Sequence, residues 1–173
     1  MRRMTPDTLA GLPAHPLIVH VPVVFIPLTL LVAIAAVVWR ARRRELSVVA
    51  LGTALIGMLG AQLATMSGES LEEQLPGSSL IHDHAELGEG ARTLAILVFL
   101  SAALFAAREL RDRFPRAAAG AARALGRPAA AVAVSVVLLA TSGLATIWTV
   151  RAGHVGAEAA WHDVAARDAS AAR

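Results

Sequence analysis

Six histidines are the residues of this chain with the clearest capacity for chemistry, because a neutral imidazole binds transition metals and haem iron. They lie in three short segments at the edges of strongly apolar stretches. The sequence contains no cysteine, so a metal ion would have to be held by histidine, carboxylate or methionine side chains. The six are His15, His20, His82, His84, His154 and His162.

The first segment reads His-Pro-Leu-Ile-Val-His-Val-Pro and runs from His15 to Pro22. Pro22 and Pro27 leave backbone carbonyls without helical partners, so we expect a kinked opening of the first helix. On an ideal helix His15 and His20 point about 140° apart, which makes them poor joint ligands. His15 can equally be an interfacial side chain bonded to water. His20 is deeper, and we expect it in the protein interior, because an unpaired imidazole in hydrocarbon is costly.

The second segment, His82 to Glu89, directly precedes the third apolar stretch. On a helix His82 and Glu86 stack four residues apart, whereas His84 lies on a different face. One of these two histidines can therefore face the bundle while the other faces water. The alternative is a solvated polar collar with local ion pairs.

The third segment follows the last apolar stretch and contains His154, Glu158 and His162 at four-residue spacing. If the helix continues past Gly153, these three side chains form one stripe, which is able to bind a divalent metal. An exposed helix with His–Glu pairs is the commoner origin of such a stripe, and we expect His162 to be mostly solvent-exposed. Trp161 is interpreted as an interfacial anchor.

Four apolar stretches must position these segments: 16–39, 46–66, 91–107 and 128–150. Each is about the 20 residues that cross a bilayer as a helix. The helical segment before the third stretch extends its predicted span to 84–107. The chain is 56% hydrophobic and 17% charged, unlike a soluble domain. Proline and histidine interrupt the start of the first stretch, which favours a retained helix over a signal peptide. We predict an all-α integral membrane four-helix bundle, one domain over 1–173 with a flexible tail at 163–173.

Arginine distribution predicts the orientation of this bundle. Segments 40–44 and 108–127 together hold ten of the sixteen arginines, and with Glu45 they hold three of the thirteen acids. The positive-inside rule places them in the cytoplasm, which gives an N-out/C-out topology in a bacterial cytoplasmic (inner) membrane. All six histidines then lie on the non-cytoplasmic side. Because the arginines flank apolar runs, they give no support to nucleic-acid binding despite a sequence pI near 11.2.

Three motifs resemble the bacterial domain-of-unknown-function 2231 membrane proteins: the His-Pro-x-x-Val-His-x-Pro opening, a His-x-Glu entry to the third helix, and Gly-His-x-Gly-Ala after the fourth. The similarity covers Leu12 to His162, although Val21 stands where an aromatic residue is frequent and no Tyr follows the final motif. The resemblance implies a four-span protein, sometimes fused to c-type cytochrome domains, which points to electron transfer; it implies no established activity. The family pattern maps onto His15, Pro16, His20, Pro22, His84, Gly153, His154 and Gly156.

The first functional hypothesis is a haem b protein for electron transfer. Two of His20, His84 and His154 would ligate the iron near the outer edge of the bundle. Arg92 and Arg151 would pair with the haem propionates, unless they extend to headgroups or pair with neighbouring glutamates. A c-type cytochrome or a quinone is the expected redox partner, and the protein can form homo-oligomers.

Two alternatives remain open. The same histidines, with His15, His82 or Glu86, would suit a Cu, Zn or Fe ion for sensing, delivery or transport, with Glu69 and Met66 as further candidate ligands. A non-cofactor accessory subunit would use the histidines to sense external pH. The sequence shows no nucleophile–base pair and no phosphate-binding loop, so we expect no hydrolytic enzyme.

Overall fold

A computed structural model describes residues 8, 9, 11–113 and 126–171, with only the backbone described for Leu9, Leu12, Arg113 and 162–171. The described chain is helical apart from a two-residue antiparallel pairing near its start, β1 (Thr8–Leu9) with β2 (Leu12–Pro13). Gly11, with φ +82°, lies between these strands in a backbone conformation that suits glycine. Helices follow over Ala14–Ile18 (α1), His20–Val38 (α2), Arg43–Glu72 (α3), Ser79–Glu109 (α4) and Pro128–Ala171 (α5).

Neighbouring helices in the chain pack against each other, and α5 closes the bundle against α2. Four segments are long and apolar enough to cross a membrane: Ala14–Val38, Arg40–Glu72, Ser79–Glu109 and Pro128–Trp161. The prediction of an all-α, four-helix membrane bundle is therefore confirmed, while its orientation stays a prediction. The helices extend beyond the predicted spans because polar residues at both ends continue the helical hydrogen bonding.

Small residues fill the centre of the bundle, where Ala33, Ala36 and Ala102 are fully buried beside Phe105. Many of the large apolar side chains point outward instead; Leu31 is 62% exposed and Val132 65% exposed. Only 28 to 39% of the most apolar window of each span is buried inside the protein. This distribution suits helices that approach closely at small residues and present their larger apolar side chains to lipid.

The opening of the first span is broken, as the prolines predicted. α1 ends at Ile18, and α2 begins at His20. Pro22 has no N–H to bond the carbonyl of Ile18, so the regular ladder cannot continue through this point. Pro27 lies inside α2. The break places His15 and His20 on separate helices and frees their directions from the spacing of one ideal helix.

The last helix continues through Gly153 and Gly156 to Ala171. Most of the segment 163–173, for which a flexible tail was predicted, is therefore helical. This length carries α5 well past the apolar run that ends near Val150 and brings its polar continuation beside the start of α4.

The bundle has two chemically different ends. The "arginine end" comprises the 3₁₀ turns Arg40–Arg42 and Arg111–Arg113 with the helix termini beside them. The "histidine end" comprises α1 together with Ala64–Glu72 of α3, Ser79–Gly90 of α4 and Trp148–Glu158 of α5. All four spans meet at the histidine end.

Candidate functional site

His15 is held at the histidine end by the end of α3. Its Nδ1 lies 2.9 Å from the carbonyl oxygen of Ala64 and 3.4 Å from the hydroxyl of Ser67. The Ser67 hydroxyl itself donates to the Ala64 carbonyl. Because a carbonyl oxygen can only accept, the hydrogen bond to Ala64 requires the proton on Nδ1. In the neutral ring Nε2 is then left with a lone pair.

His84 has the same arrangement on the other side of the bundle. Its Nδ1 donates to the carbonyl oxygen of Ala152 on α5 at 2.9 Å. The ring is half-buried, as is that of His15. Histidines that ligate metals commonly donate their second ring N–H to a carbonyl or carboxylate, which fixes the tautomer and the direction of the free nitrogen.

Two glycines let these rings lie directly on helix backbone. A Cβ built on Gly68 would stand 3.0 Å from Cε1 of His15, and one on Gly156 would stand 2.7 Å from Cε1 of His84. Both distances are shorter than ordinary van der Waals contacts. Glycine at these positions therefore leaves room for the close approach of an imidazole and is not needed for a special backbone conformation.

The two rings contact each other, with centroids 5.9 Å apart and ring planes at 78°. No described side chain or backbone group hydrogen-bonds Nε2 of either ring. The arrangement thus presents two imidazoles whose Nδ1 atoms are occupied and whose Nε2 atoms are free to act as ligands. Two protein ligands are few for a bare metal ion. In the described residues no group of three or more His, Asp or Glu is placed to hold one.

Of the three histidines named from the sequence as haem ligands, His84 belongs to this pair, whereas His20 and His154 lie elsewhere. His20 is exposed on α2, so the prediction that it lies in the interior is wrong. His154 has 75% of its side chain exposed, with Nε2 3.5 Å from a carboxylate oxygen of Glu158. This contact joins two of the three residues of the predicted stripe. The side chain of the third, His162, lies outside the described residues. His82 and Glu86 are exposed on α4.

The two arginines proposed for haem propionates differ in their surroundings. The Arg151 guanidinium lies 5.3 Å from the ring centroid of Trp148, within cation–π range, and its side chain is exposed. Trp148 in turn packs on Gly90 so closely that a Cβ there would overlap the indole. Arg92 is half-buried on α4. Neither residue belongs to the contact between the two rings.

The sequence pattern undervalued His15. The sequence favoured His20 because this residue lies deeper on an ideal helix. The break after Ile18 instead turns the His15 side chain inward and leaves the His20 side chain outward. The usable signal was the pair of glycines, because Gly68 and Gly156 each lie in the polar continuation of a span where small size is not needed for lipid packing. Such a glycine indicates a close approach, although it does not identify the approaching residue.

The model of the family described as "predicted membrane protein (DUF2231)" matches residues 11–169. No curated protein and no solved structure matches the chain. The matched range contains all four spans, both site histidines and both ring-contacting glycines. The chain therefore belongs to the DUF2231 family of membrane proteins.

Proposed function

We propose that the protein binds one haem b through Nε2 of His15 and Nε2 of His84 and uses it for electron transfer at the membrane. The observation that carries this proposal is the histidine pair itself. Two imidazoles from different spans contact each other, and each has its Nδ1 tied to a backbone carbonyl. This is the arrangement expected of ligands oriented for metal binding.

The number of donors favours haem over a bare ion. A porphyrin supplies four nitrogens, so its iron needs only two axial ligands, whereas structural zinc and comparable sites take three or four protein donors. Across the described ranges no third His, Asp or Glu joins the pair to form such a group. The pair thus supplies the number of protein donors that haem iron needs. A bare Cu, Zn or Fe ion would need ligands from solvent or from a partner.

The separation of the two rings is also compatible with a shared iron. Metal–imidazole bonds of about 2.0 Å on either side of one ion place two ring centroids roughly 6 Å apart. The observed centroid distance is 5.9 Å.

The chain's own residues have distinct tasks in this proposal. The carbonyls of Ala64 and Ala152 hold the proton on Nδ1 and orient each ring. Gly68 and Gly156 allow the rings to lie against α3 and α5. Bound haem would supply one-electron redox chemistry. A c-type cytochrome or a membrane quinone is the proposed redox partner, with the histidine end on the non-cytoplasmic side.

The visible spectrum of the gently purified protein, expressed with supplied haem, tests the proposal. We expect a Soret band with stoichiometric iron, lost in His15→Ala and in His84→Ala. His20→Ala and His154→Ala are matched controls, because both remove an exposed imidazole from the same end of the bundle, and both should keep the band. Size-exclusion chromatography establishes that each variant is folded.

Three outcomes would overturn the proposal. A colourless wild-type protein would exclude haem, and stoichiometric Cu, Zn or Fe without a Soret band would favour the bare-metal alternative. Loss of the band in His20→Ala with retention in His15→Ala would move the site to the exposed histidines.

A further inference from the structure

We infer that the bundle consists of two copies of one helical hairpin and that His15 and His84 are equivalent residues of these copies, so that their site takes a ligand with two equivalent faces. The first copy is α1, α2 and α3; the second is α4 and α5. The identity of the ligand rests on the proposed haem site, whereas the duplication does not depend on it.

Contacts within each hairpin define the correspondence. In each copy a histidine donates from Nδ1 to the carbonyl of a buried alanine, which lies on α3 in the first copy and on α5 in the second. In each copy a glycine four residues after that alanine lies against the same imidazole. The two sets are His15, Ala64 and Gly68, and His84, Ala152 and Gly156.

A third contact also joins corresponding positions of the two copies, but the large residue and the small residue of the contact are exchanged between them. Six residues after His15, Val21 packs on Gly60 of α3; six residues after His84, Gly90 receives Trp148 of α5. Gly60 and Trp148 each lie four residues before the alanine whose carbonyl binds the histidine. An exchange of this kind preserves close packing because one bulky side chain fills one gap in either arrangement.

The burial pattern repeats in the register that these contacts define, without gaps. All five buried residues of α2 correspond to buried residues of α4, and six of the seven described buried residues of α5 correspond to buried residues of α3. The α2–α4 pairs are Pro22/Ala91, Ile26/Ala95, Thr29/Val98, Ala33/Ala102 and Ala36/Phe105. The α3–α5 pairs are Ser47/Ser135, Ala50/Leu138, Ala54/Ser142, Gly57/Ala145, Ala61/Thr149 and Ala64/Ala152.

The packing order of the helices agrees with a two-fold axis along the bundle. Within the copies α2 packs on α3 and α4 on α5, and between them α3 packs on α4 and α5 on α2. Exchange of the two copies converts each of these interfaces into another that is present. Parallel repeats related by an axis along the membrane normal are an established architecture of membrane proteins. The contacting rings of His15 and His84 are exchanged by this axis.

Only some residues of the histidine end repeat, and they identify the kind of ligand. The imidazole, its carbonyl partner and its glycine recur in both copies. His20, His154, Arg92 and Arg151 instead correspond to Glu89, Met66, Val23 and Leu63. The repeated groups therefore offer two equivalent nitrogen donors related by the two-fold axis, which suits a metal centre with two identical axial positions, such as haem iron.

An exchange experiment tests the duplication without any cofactor. Gly90→Val alone should lower the unfolding temperature strongly, because its side chain meets Trp148. Adding Trp148→Gly should recover most of the loss, because the pair then reproduces Val21 with Gly60. Failure of the double variant to recover stability, with both single variants folded, would overturn the register.

Imidazole rescue tests the equivalence of the two ligands. His15→Gly and His84→Gly should each lose the Soret position of the wild type and regain it with added imidazole, at half-saturating concentrations within about threefold of one another. A wild-type spectrum in one variant without imidazole would overturn the equivalence of the two ligands while leaving haem binding intact. A wild type without haem would overturn the ligand assignment, and the exchange experiment would still decide the duplication.

Discussion

The arginine end and the histidine end differ in the partners of their polar side chains. Arginines bind carboxylates and a carbonyl at one end, where Nε of the buried Arg108 lacks a described hydrogen bond, and histidines bind carbonyls at the other. At the arginine end Arg44 forms an ion pair with Asp112, Arg108 with Glu109, and Arg43 donates to the carbonyl of Ala36. At the histidine end each half-buried imidazole has Nδ1 bonded to a carbonyl, whereas no group in the described ranges binds its Nε2. The contrast separates residues that hold helix ends together from residues to which the proposed function assigns a ligand.

The cation–π contact of Arg43 with Phe105 extends this difference, since the guanidinium lies 5.6 Å from the ring centroid. It links the start of α3 to the cytoplasm-proximal part of α4 in the proposed orientation. Both members of this contact belong to the chain itself. Substitutions at the two ends should therefore have different consequences: loss of stability at one, and loss of ligand binding at the other.

The largest expected contrast is accessibility from outside the cell. Because the chain has no cysteine, Ala41→Cys and Gly77→Cys, at exposed positions of opposite ends, report on a membrane-impermeant maleimide without background. We expect intact cells to label position 77 fully and position 41 only after permeabilisation. The reverse pattern would place the histidine end in the cytoplasm and remove any role at the outer face.

A second strong effect is expected at Glu109, whose side chain is only 12% exposed beside Arg108. Glu109→Ala leaves the buried Arg108 guanidinium unpaired, which costs roughly 3–5 kcal/mol of unfolding free energy. Denaturant unfolding in detergent measures this loss. The Soret position of the folded fraction should stay unchanged, because the pair lies at the end remote from the histidines.

A double variant provides the control for that measurement. Arg108→Met with Glu109→Leu removes both charges and should be close to neutral in stability, since well-packed apolar residues commonly replace buried ion pairs without loss. A double variant as unstable as Glu109→Ala would mean that the Glu109 side chain stabilises the helix end by some other contact.

The features of the fold were predictable from the sequence only where a pattern of residues determines them. The four spans were predictable because each contains an apolar run of about 20 residues. The broken opening of the first span was predictable because Pro22 removes one defined backbone hydrogen bond. The directions of the His15 and His20 side chains were not predictable, because a break in the helix changes the angular relation between residues on its two sides. Their exchange of roles is a consequence of the kink itself.

The position of His20 shows a second limit. We expected burial because an unpaired imidazole in hydrocarbon is costly. The residue lies close to the histidine end, where an interfacial side chain can extend its polar tip to the headgroup layer, so that cost does not apply. The partners of His15 and His84 are main-chain carbonyls, which carry no residue-type signal. No pattern of side chains could have predicted them.

An intermediate effect is expected at the ring-contacting glycines. Gly156→Ala places a methyl group 2.7 Å from Cε1 of His84, so the ring must shift. We expect a loss of about 1–3 kcal/mol, as for overpacking, together with weaker haem binding in titrations. Gly153→Ala is the matched control on the same helix. Its Cβ meets no atom within 4 Å, and it should stabilise by about 0.5–1 kcal/mol.

If both glycine variants changed haem affinity equally, the effect would belong to α5 as a whole and not to the His84 ring. Gly68→Ala then gives an independent measurement, because its Cβ would stand 3.0 Å from Cε1 of His15. The slightly longer distance predicts a smaller loss than that of Gly156→Ala in the same titration.

The smallest effect is expected for the exposed ion pair between Arg44 and Asp112, whose side chains are 53% and 59% exposed. Exposed pairs contribute about 0.2–1 kcal/mol, since water and salt screen the attraction and two long side chains must be ordered. A double-mutant cycle with Arg44→Ala and Asp112→Ala measures the coupling by denaturant unfolding. It should shrink further in about 1 M salt, where the Debye length falls to about 3 Å. A salt-insensitive coupling above about 2 kcal/mol would show that this contact is as desolvated as the Arg108–Glu109 pair, and the arginine end would then be as closely packed as the interior of the bundle.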